Sequence, residues 1–243
     1  MAITLLTPIT ILPASPSDFY SLALLEGTVF SPEEFSQVAF GPQQLSHGNL
    51  CSREKKLASQ PREKGSRNVV MKAVINEGER EKIVGCSGWT FALGREGNGG
   101  AEEMGEKVVE EVKDGEGKGE EGGGWGTGAN VKFCEDVFLM AEKHMMRSTE
   151  GKNYAKLNTL VVHPEHQRRG IGKMLMEDGL KEADRLGIQA VLGASKQGLG
   201  LYRKYGFTEF ETMEINLWEY EGGEGMGTDR HVIMHRPAQN TIN

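Results

Sequence analysis

Six consecutive residues, Gln167–Arg168–Arg169–Gly170–Ile171–Gly172, place two cations and two glycines where an apolar stretch gives way to an amphipathic one. That combination is chemistry for an anion. The first N–H groups of a helix have no partner inside it, and the helix dipole favours negative charge at that end. Glycines at 170 and 172 let the backbone itself approach a phosphate. The flanking elements this requires are present. Leu160–Val161–Val162 is an apolar, β-branched run that reads as a buried strand, and Pro164, which has no N–H, stops it. Beyond the loop, Ile171, Leu175, Gly179 and Ala183 recur four apart on one helix face, and Gly187 is placed to end that helix. Two other phosphate loops do not fit. A Walker loop needs glycine where Gln167 stands and Ser or Thr where Met174 stands. A dinucleotide fingerprint opened at Gly170 needs its third glycine at Leu175.

The run Gln167 to Gly172 matches Q/R-x-x-G-x-G/A at every fixed position, and further along Leu201-Tyr202-Arg203-Lys204-Tyr205-Gly206-Phe207 resembles LYxKxGF. In this order and spacing the two signatures resemble those of the GNAT superfamily of N-acetyltransferases. Between Leu157 and Phe207 the chain looks most similar to small-molecule acetyltransferases of the puromycin-acetylating kind. The resemblance implies acetyl-CoA as donor, with its pyrophosphate on the signature Gln167, Arg168, Arg169, Gly170, Ile171, Gly172 and Lys173. It implies a pantetheine arm laid along the backbone of Leu160, Val161 and Val162, one of whose N–H groups would polarise the thioester carbonyl. Tyr202 stands where many members carry the tyrosine that protonates the departing thiolate, and Tyr205 reads as a packing residue. Two positions depart from the pattern. Ser195 replaces an asparagine that touches the pantetheine arm, and Asn158 replaces an acid that serves as base through water. The expected activity is transfer of acetyl to a primary amine of a small molecule. Transfer to a protein or peptide amine is the alternative, as is a non-catalytic acetyl-CoA-binding module, which Asn158 keeps open.

The base is therefore unassigned. His163 is close in sequence and of a residue type that serves as a base near neutral pH, although a histidine just after a strand is more often a turn residue. Pro164 between His163 and His166 argues against a metal pair on a helix face, and no metal is expected. His231 and His235 alternate with Val232 and Met234 and read as structural.

The remaining elements follow from local signals. Ile9 to Leu12 reads as a strand, and Ser15-Pro16-Ser17-Asp18 as the capped start of a helix. Ser31-Pro32-Glu33-Glu34 repeats that device for a second helix. Gly41 to Arg67 is weakly patterned, with a polar helix around Ser52 to Ser59. It reads equally as a solvated connection or, by the resemblance, as part of an acceptor pocket. Asn68 to Ile75 and Ile83 to Phe91 form a hairpin, with Trp89 in the core. Val131 to Arg147 is an amphipathic helix. Ile188 to Ala194 is a strand, Gly198 to Tyr205 a short helix, and Phe207 to Leu217 with His231 to His235 a closing antiparallel hairpin. The fold class is α/β (α+β). By the resemblance it is a twisted, mostly antiparallel mixed sheet flanked by helices, with a central splay at the acetyl-CoA site, in one domain spanning 1–243.

Within that domain, residues 94–128 read as a disordered Gly/Glu-rich insertion. Ten acidic against four basic residues there account for most of the net charge of −7, so the acidity says little about substrate, and nothing favours nucleic acid. No apolar run reaches the roughly 18 residues of a membrane span. Three cysteines without a C-x-x-C pair argue against a disulfide framework or zinc site. A reducing, cytoplasmic setting is expected, and the oligomeric state is open.

Overall fold

The computed structural model describes residues 8–78, 80–95 and 124–239. Strand β1 (Ile9–Pro13) leads into the expected capping box. The Ser15 N–H and hydroxyl donate to Asp18 Oδ2 at 2.7 and 2.6 Å, opening a 3-10 turn that runs into α1 (Phe19–Phe30). The second expected box does not form. Ser31 keeps helical geometry, its N–H bonded to Gly27 O at 2.8 Å, so it cannot also cap. Helix α2 (Glu34–Phe40) begins only after extended Glu33. Helix α3 (His47–Ala58) is capped by Ser46 and is longer than its polar composition foretells, because Leu50 and Leu57 pack it against Leu22 and Leu25 of α1.

Strands β2 (Arg67–Glu77) and β3 (Arg80–Ala92) form the hairpin. One continuous helical run, α4, combines Val131–Cys134, a π-helical Glu135–Leu139 and Met140–Thr149. Then come β4 (Tyr154–Val162), α5 (Ile171–Arg185), β5 (Gln189–Ala194), α6 (Leu199–Lys204), β6 (Thr208–Asn216) and β7 (Thr228–Arg236).

The seven strands make one sheet in the order β1-β2-β3-β4-β5-β7-β6, antiparallel except for β4 beside β5. That parallel pair is short, matching Tyr154–Leu157 to Gln189–Leu192. From Asn158 onward β4 parts from β5 while it stays on β3 as far as Val162. The parting has a local cause. Thr159 faces Gly88 and Leu157 faces Trp89, which leaves Asn158 as the extra residue of a β-bulge, and bulges bend a strand and increase its twist. The result is the mixed, mostly antiparallel sheet with a central splay.

Helix α5 covers one face of the sheet through Ile171, Leu175, Met176, Leu180 and Ala183. Its approach is set by Gly179, where a Cβ would lie 2.2 Å from the ring of Trp89, itself 1 % exposed in the core. The other face is covered by α1 and α3 over Cys86 and Val161, and by α4 over Val191 and Ile233. Of the Gly/Glu-rich stretch, 96–123 lie outside the described residues. Its end is packed rather than free. Trp125 stacks on Phe138 with centroids 5.5 Å apart, and the Thr127 N–H donates to Asn49 Oδ1 at 2.9 Å. No described helix is long and apolar enough to cross a membrane.

Candidate active site

The anion loop is built as its glycines require. Gly170 is the N-cap of α5 in the left-handed region (φ 83), where it carries no side chain to cap the helix. The first helical bond runs from Met174 N–H to Gly170 O at 3.0 Å, so the N–H groups of Ile171, Gly172 and Lys173 have no acceptor within the helix. A Cβ added at Gly170 would meet nothing within 4 Å, so open space lies beside that turn. Fifteen residues of helix stand behind these donors and align their dipoles on the space.

The flanking residues divide. Arg168 is exposed and holds φ 61, a conformation rare for a residue with a Cβ and typical of ligand clamps. Arg169, expected at the rim beside it, is turned inward instead. Its Nη1 lies 2.9 Å from Nδ1 of buried His166, so it braces the loop. Gln167 Nε2 donates to Val162 O at 3.2 Å, tying the loop back to the strand.

The splay exposes half of the β4 backbone. His163 N–H donates to Val84 O at 2.9 Å, and antiparallel pairing alternates from there. The Val161 backbone therefore turns to β3, while the N–H groups of Leu160 and Val162 turn away from it, into the gap that β5 has left. The expectation that three consecutive residues offer backbone contacts is corrected to these two. Val161 is buried against α1 on the other face.

A cavity of about 520 Å³ opens at the splay, lined by Asn158, Thr159 and Leu160, by Ser195, and by Tyr202. Tyr202 enters from the α5 side, packed with Met176 and Phe207. Gly198 leaves the room its ring takes, since a Cβ there would lie 2.5 Å from Tyr202 Cε2. Burial pushes the Tyr202 hydroxyl up to about 12, so it stays protonated, and it makes no hydrogen bond among the described residues. Tyr205 is different. Its hydroxyl donates to Glu177 on the outer side of α5 at 3.0 Å. Asn158 donates its amide to Thr90 Oγ1 at 2.8 Å, and Thr90 donates on to Asn68 at 2.6 Å. This fixed amide cannot take a proton. Thr159 Oγ1, on the same wall, is buried without a partner among the described residues.

The far wall comes from elements on the other face. Phe30, Phe35, Phe40, Trp125 and Phe138 make it aromatic, and α3 contributes Arg53, bound in two hydrogen bonds to Glu26. The weakly patterned region before β2 is thus part of the cavity. Glu33, Asp229 and His231 complete this wall. His231 was expected to be structural. It lies on the cavity wall over Gly193, where a Cβ would be 2.2 Å from its Nε2, and stacks on Phe35 at 17°. Its alternation with Val232 and Met234 does announce which face it takes. No local signal announces that β7 sits inside the sheet beside β5, and that position brings it to the splay. His235 does prove structural, its Nε2 paired with Gln189 at 2.7 Å. His163 accepts from the Glu165 N–H at 3.3 Å and caps the turn after β4, away from the cavity walls. His163, Glu165 and His166 bring ligand atoms within 4.8 Å of one another, but Arg169 holds His166 Nδ1, and with Lys82 it opposes a cation there.

Residues 135–209 match the family model of the acetyltransferase (GNAT) domain. No curated protein matches the sequence. Among solved structures the chain is similar to the histone acetyltransferase HPA2 and related acetyltransferase from Corynebacterium glutamicum. There the TM-score is 0.57 at 16 % identity, covering 98 % of this chain and 100 % of that one. It is similar to a mosquito arylalkylamine N-acetyltransferase like 5b, at TM-score 0.57 and 16 % identity over 95 % and 100 %. It is also similar to Arabidopsis thaliana NAA60 in complex with a bisubstrate analogue, at TM-score 0.52 and 14 % identity over 96 % and 100 %. What these three share with this chain is the fold. The segment that matches the acetyltransferase (GNAT) domain model runs from α4 through the anion loop and Tyr202 into β6, and the splayed sheet is built around it.

Proposed function

We propose that this chain is an acetyl-CoA-dependent N-acetyltransferase acting on a primary amine of a small molecule. One observation carries the reading. The open edge of β4 at Leu160 and the unbonded hydroxyl of Tyr202 line one cavity, and the free N-terminal turn of α5 lies beside them, with Gly172 against Val162 and Leu201. The N–H groups of Ile171, Gly172 and Lys173 hold the pyrophosphate of the donor, with Arg168 adding charge at the rim. The N–H groups of Leu160 and Val162 take the pantetheine arm as an added strand and polarise the thioester carbonyl. Ser195, at the cavity edge, offers the arm a hydroxyl. Tyr202, protonated and close to the end of that strand, gives its proton to the departing thiolate.

The acceptor half supports a small molecule, because an aromatic-walled cavity of this volume matches sites that bury a compact ligand. Cys51, Cys86 and Cys134 are free thiols, which favours a reducing, cytoplasmic setting. Calorimetry with acetyl-CoA, followed by an amine screen read as thiol release, tests the proposal. Binding with turnover on small amines is expected. Binding with no turnover on any amine would make the chain a coenzyme-binding module, and turnover only on peptide amines would move the acceptor class.

A further inference from the structure

Among the polar groups of the cavity that the chemistry above does not use, three stand together beside its aromatic rings: Glu33, Asp229 and His231. Glu33 stands at the start of α2 and Asp229 on β7, and neither has a cationic partner among the described residues. Glu33 has one polar side-chain contact, the Gln197 amide at 3.3 Å, and Asp229 accepts the N–H of Arg230 at 2.7 Å. Two carboxylates facing one apolar cavity repel each other and lose hydration. Burial and then the Asp229 charge indeed hold the Glu33 carboxyl above its usual range. A cation between them relieves both costs. Two residues from Asp229 on the same strand, His231 lies largely buried and makes no hydrogen bond among the described residues. Its ring is sandwiched by Phe35 and the bare backbone of Gly193, so its position is fixed while its nitrogens stay uncommitted.

We infer that Glu33, Asp229 and His231 form the acceptor-ammonium site of this cavity, selecting a cationic amine with an apolar or aromatic body and removing its proton through His231. The inference rests on the transferase reading and names its substrate class and base. Other charges facing the cavity are committed elsewhere. Arg53 is paired with Glu26, Arg230 with Glu214, and Lys56 donates to Gly124 O. Burial, opposed by Asp229, holds the imidazole below its ordinary pKa, so it is neutral and ready to accept at physiological pH.

The proton inventory closes. His231 takes one proton from R–NH3+ and passes it to solvent. The freed nitrogen lone pair forms the C–N bond to the thioester carbonyl carbon, and the C–S bond breaks with its electron pair on sulfur. Tyr202 protonates that sulfur, and the proton released from the new amide nitrogen restores the phenol. The geometry suits two separate proton transfers. Tyr202 reaches the cavity from the α5 face of the sheet and His231 from the α4 face, the side on which the nucleophile arrives.

The test uses the full chain with acetyl-CoA, and phenethylamine against its neutral isostere 2-phenylethanol. Phenethylamine is expected to bind the CoA-saturated protein at least tenfold more tightly than the alcohol. Glu33→Gln with Asp229→Asn should erase that preference, and circular dichroism should show the fold retained. For wild type, kcat/KM should be flat from about pH 7 to 9, because a neutral base and an ammonium coexist there. In His231→Gln it should fall by about 10²–10⁴-fold and rise tenfold per pH unit, because only amine already neutral in solution can react. A merely structural role for His231 would lower the rate without changing that slope. An unchanged slope, or equal binding of amine and alcohol, overturns the inference while acetyl-CoA binding leaves the transferase reading standing. Failure to bind acetyl-CoA removes that reading, and this inference with it.

Discussion

Replacing Gly179 by alanine sets two effects of known size against each other. In the interior of a helix alanine is favoured over glycine by about 1 kcal/mol, so propensity alone makes Gly179→Ala stabilising. Packing opposes it. The new Cβ would lie 2.2 Å from Trp89 Cε2 and Nε1 and 2.7 Å from Cζ2, where carbon contacts want about 3.5 Å. Something must move by roughly 1.3 Å to reach that contact distance. The Trp89 ring cannot turn aside cheaply, being 1 % exposed and stacked on Phe91 with centroids 6.3 Å apart. Overpacking of this kind costs about 1–3 kcal/mol even after relaxation. The net expectation is destabilisation by up to about 2 kcal/mol, or up to roughly 8 °C in midpoint for a chain of this size. Urea unfolding at matched m-values measures it. Gly200→Ala in α6 is the control, since a Cβ there meets nothing within 4 Å, and it should be neutral or stabilising. A loss at Gly179 that vanishes with Trp89→Leu would locate the conflict in that contact. If Gly179→Ala instead gains about 1 kcal/mol, propensity has won, and close approach of α5 to the sheet is not what Gly179 provides.

Four other outcomes are expected. Tyr202→Phe should lower kcat about 10²–10⁴-fold with little change in the KM for acetyl-CoA, while Tyr205→Phe, which loses only its bond to surface Glu177, should be close to neutral in the same steady-state assay. Gly170→Ala should cost about 1–2 kcal/mol in urea unfolding for the left-handed backbone alone, and Gly170→Glu should in addition abolish acetyl-CoA binding by calorimetry, since bulk and negative charge would occupy the anion's place. Asp184→Ala should destabilise by about 2–4 kcal/mol, because Arg236, whose side chain is 9 % exposed, would lose both bonds to that carboxylate and keep only Tyr205 O. Burial holds His144, His166, His231 and His235 below their ordinary pKa, so the unfolded chain takes up protons first as pH falls. Their contribution is complete above about pH 6.5 and lost below it, and a thermal midpoint that stays level from pH 7 to 5 would contradict this.

What could be read from the chain alone follows the range of the forces involved. The anion loop, α5 and the strand before it are written in contiguous residues, because a glycine N-cap, a proline stop and an i, i+4 apolar stripe act within a few positions of themselves. Errors arose where a local signal was outvoted by its neighbour. Ser31 has the type of a cap, but α1 holds its backbone in helical geometry, so no box forms and the next helix takes Glu33 as its N-cap, two residues on. His47 to Ala58 looked polar because only Leu50 and Leu57 face inward, and two leucines suffice when α1 offers Leu22 and Leu25 opposite them. Trp125 lies inside a stretch whose average composition opposes packing, and the average conceals a ring that, with Phe40, stacks on Phe138.

The missing base has the same explanation at longer range. Asn158 is both the bulge that parts β4 from β5 and the occupant of the position where an acid would serve. Its amide is committed to Thr90, so it orients the splay and takes no proton. In the proposed reading the base comes from an element that meets β4 only across the gap. In sequence β7 is the last strand, distant from β4. In the sheet it is inserted between β5 and β6, and its Val232 pairs with Ala194 at the end of β5 where the splay is widest. His231, one residue further, is thereby carried to the cavity. A side chain delivered by strand order rather than by a motif leaves no trace at short range. The proposed donor half, which is one continuous strand, loop and helix, is legible in the sequence. The proposed acceptor half, assembled from α2, α3, α4 and β7, is not.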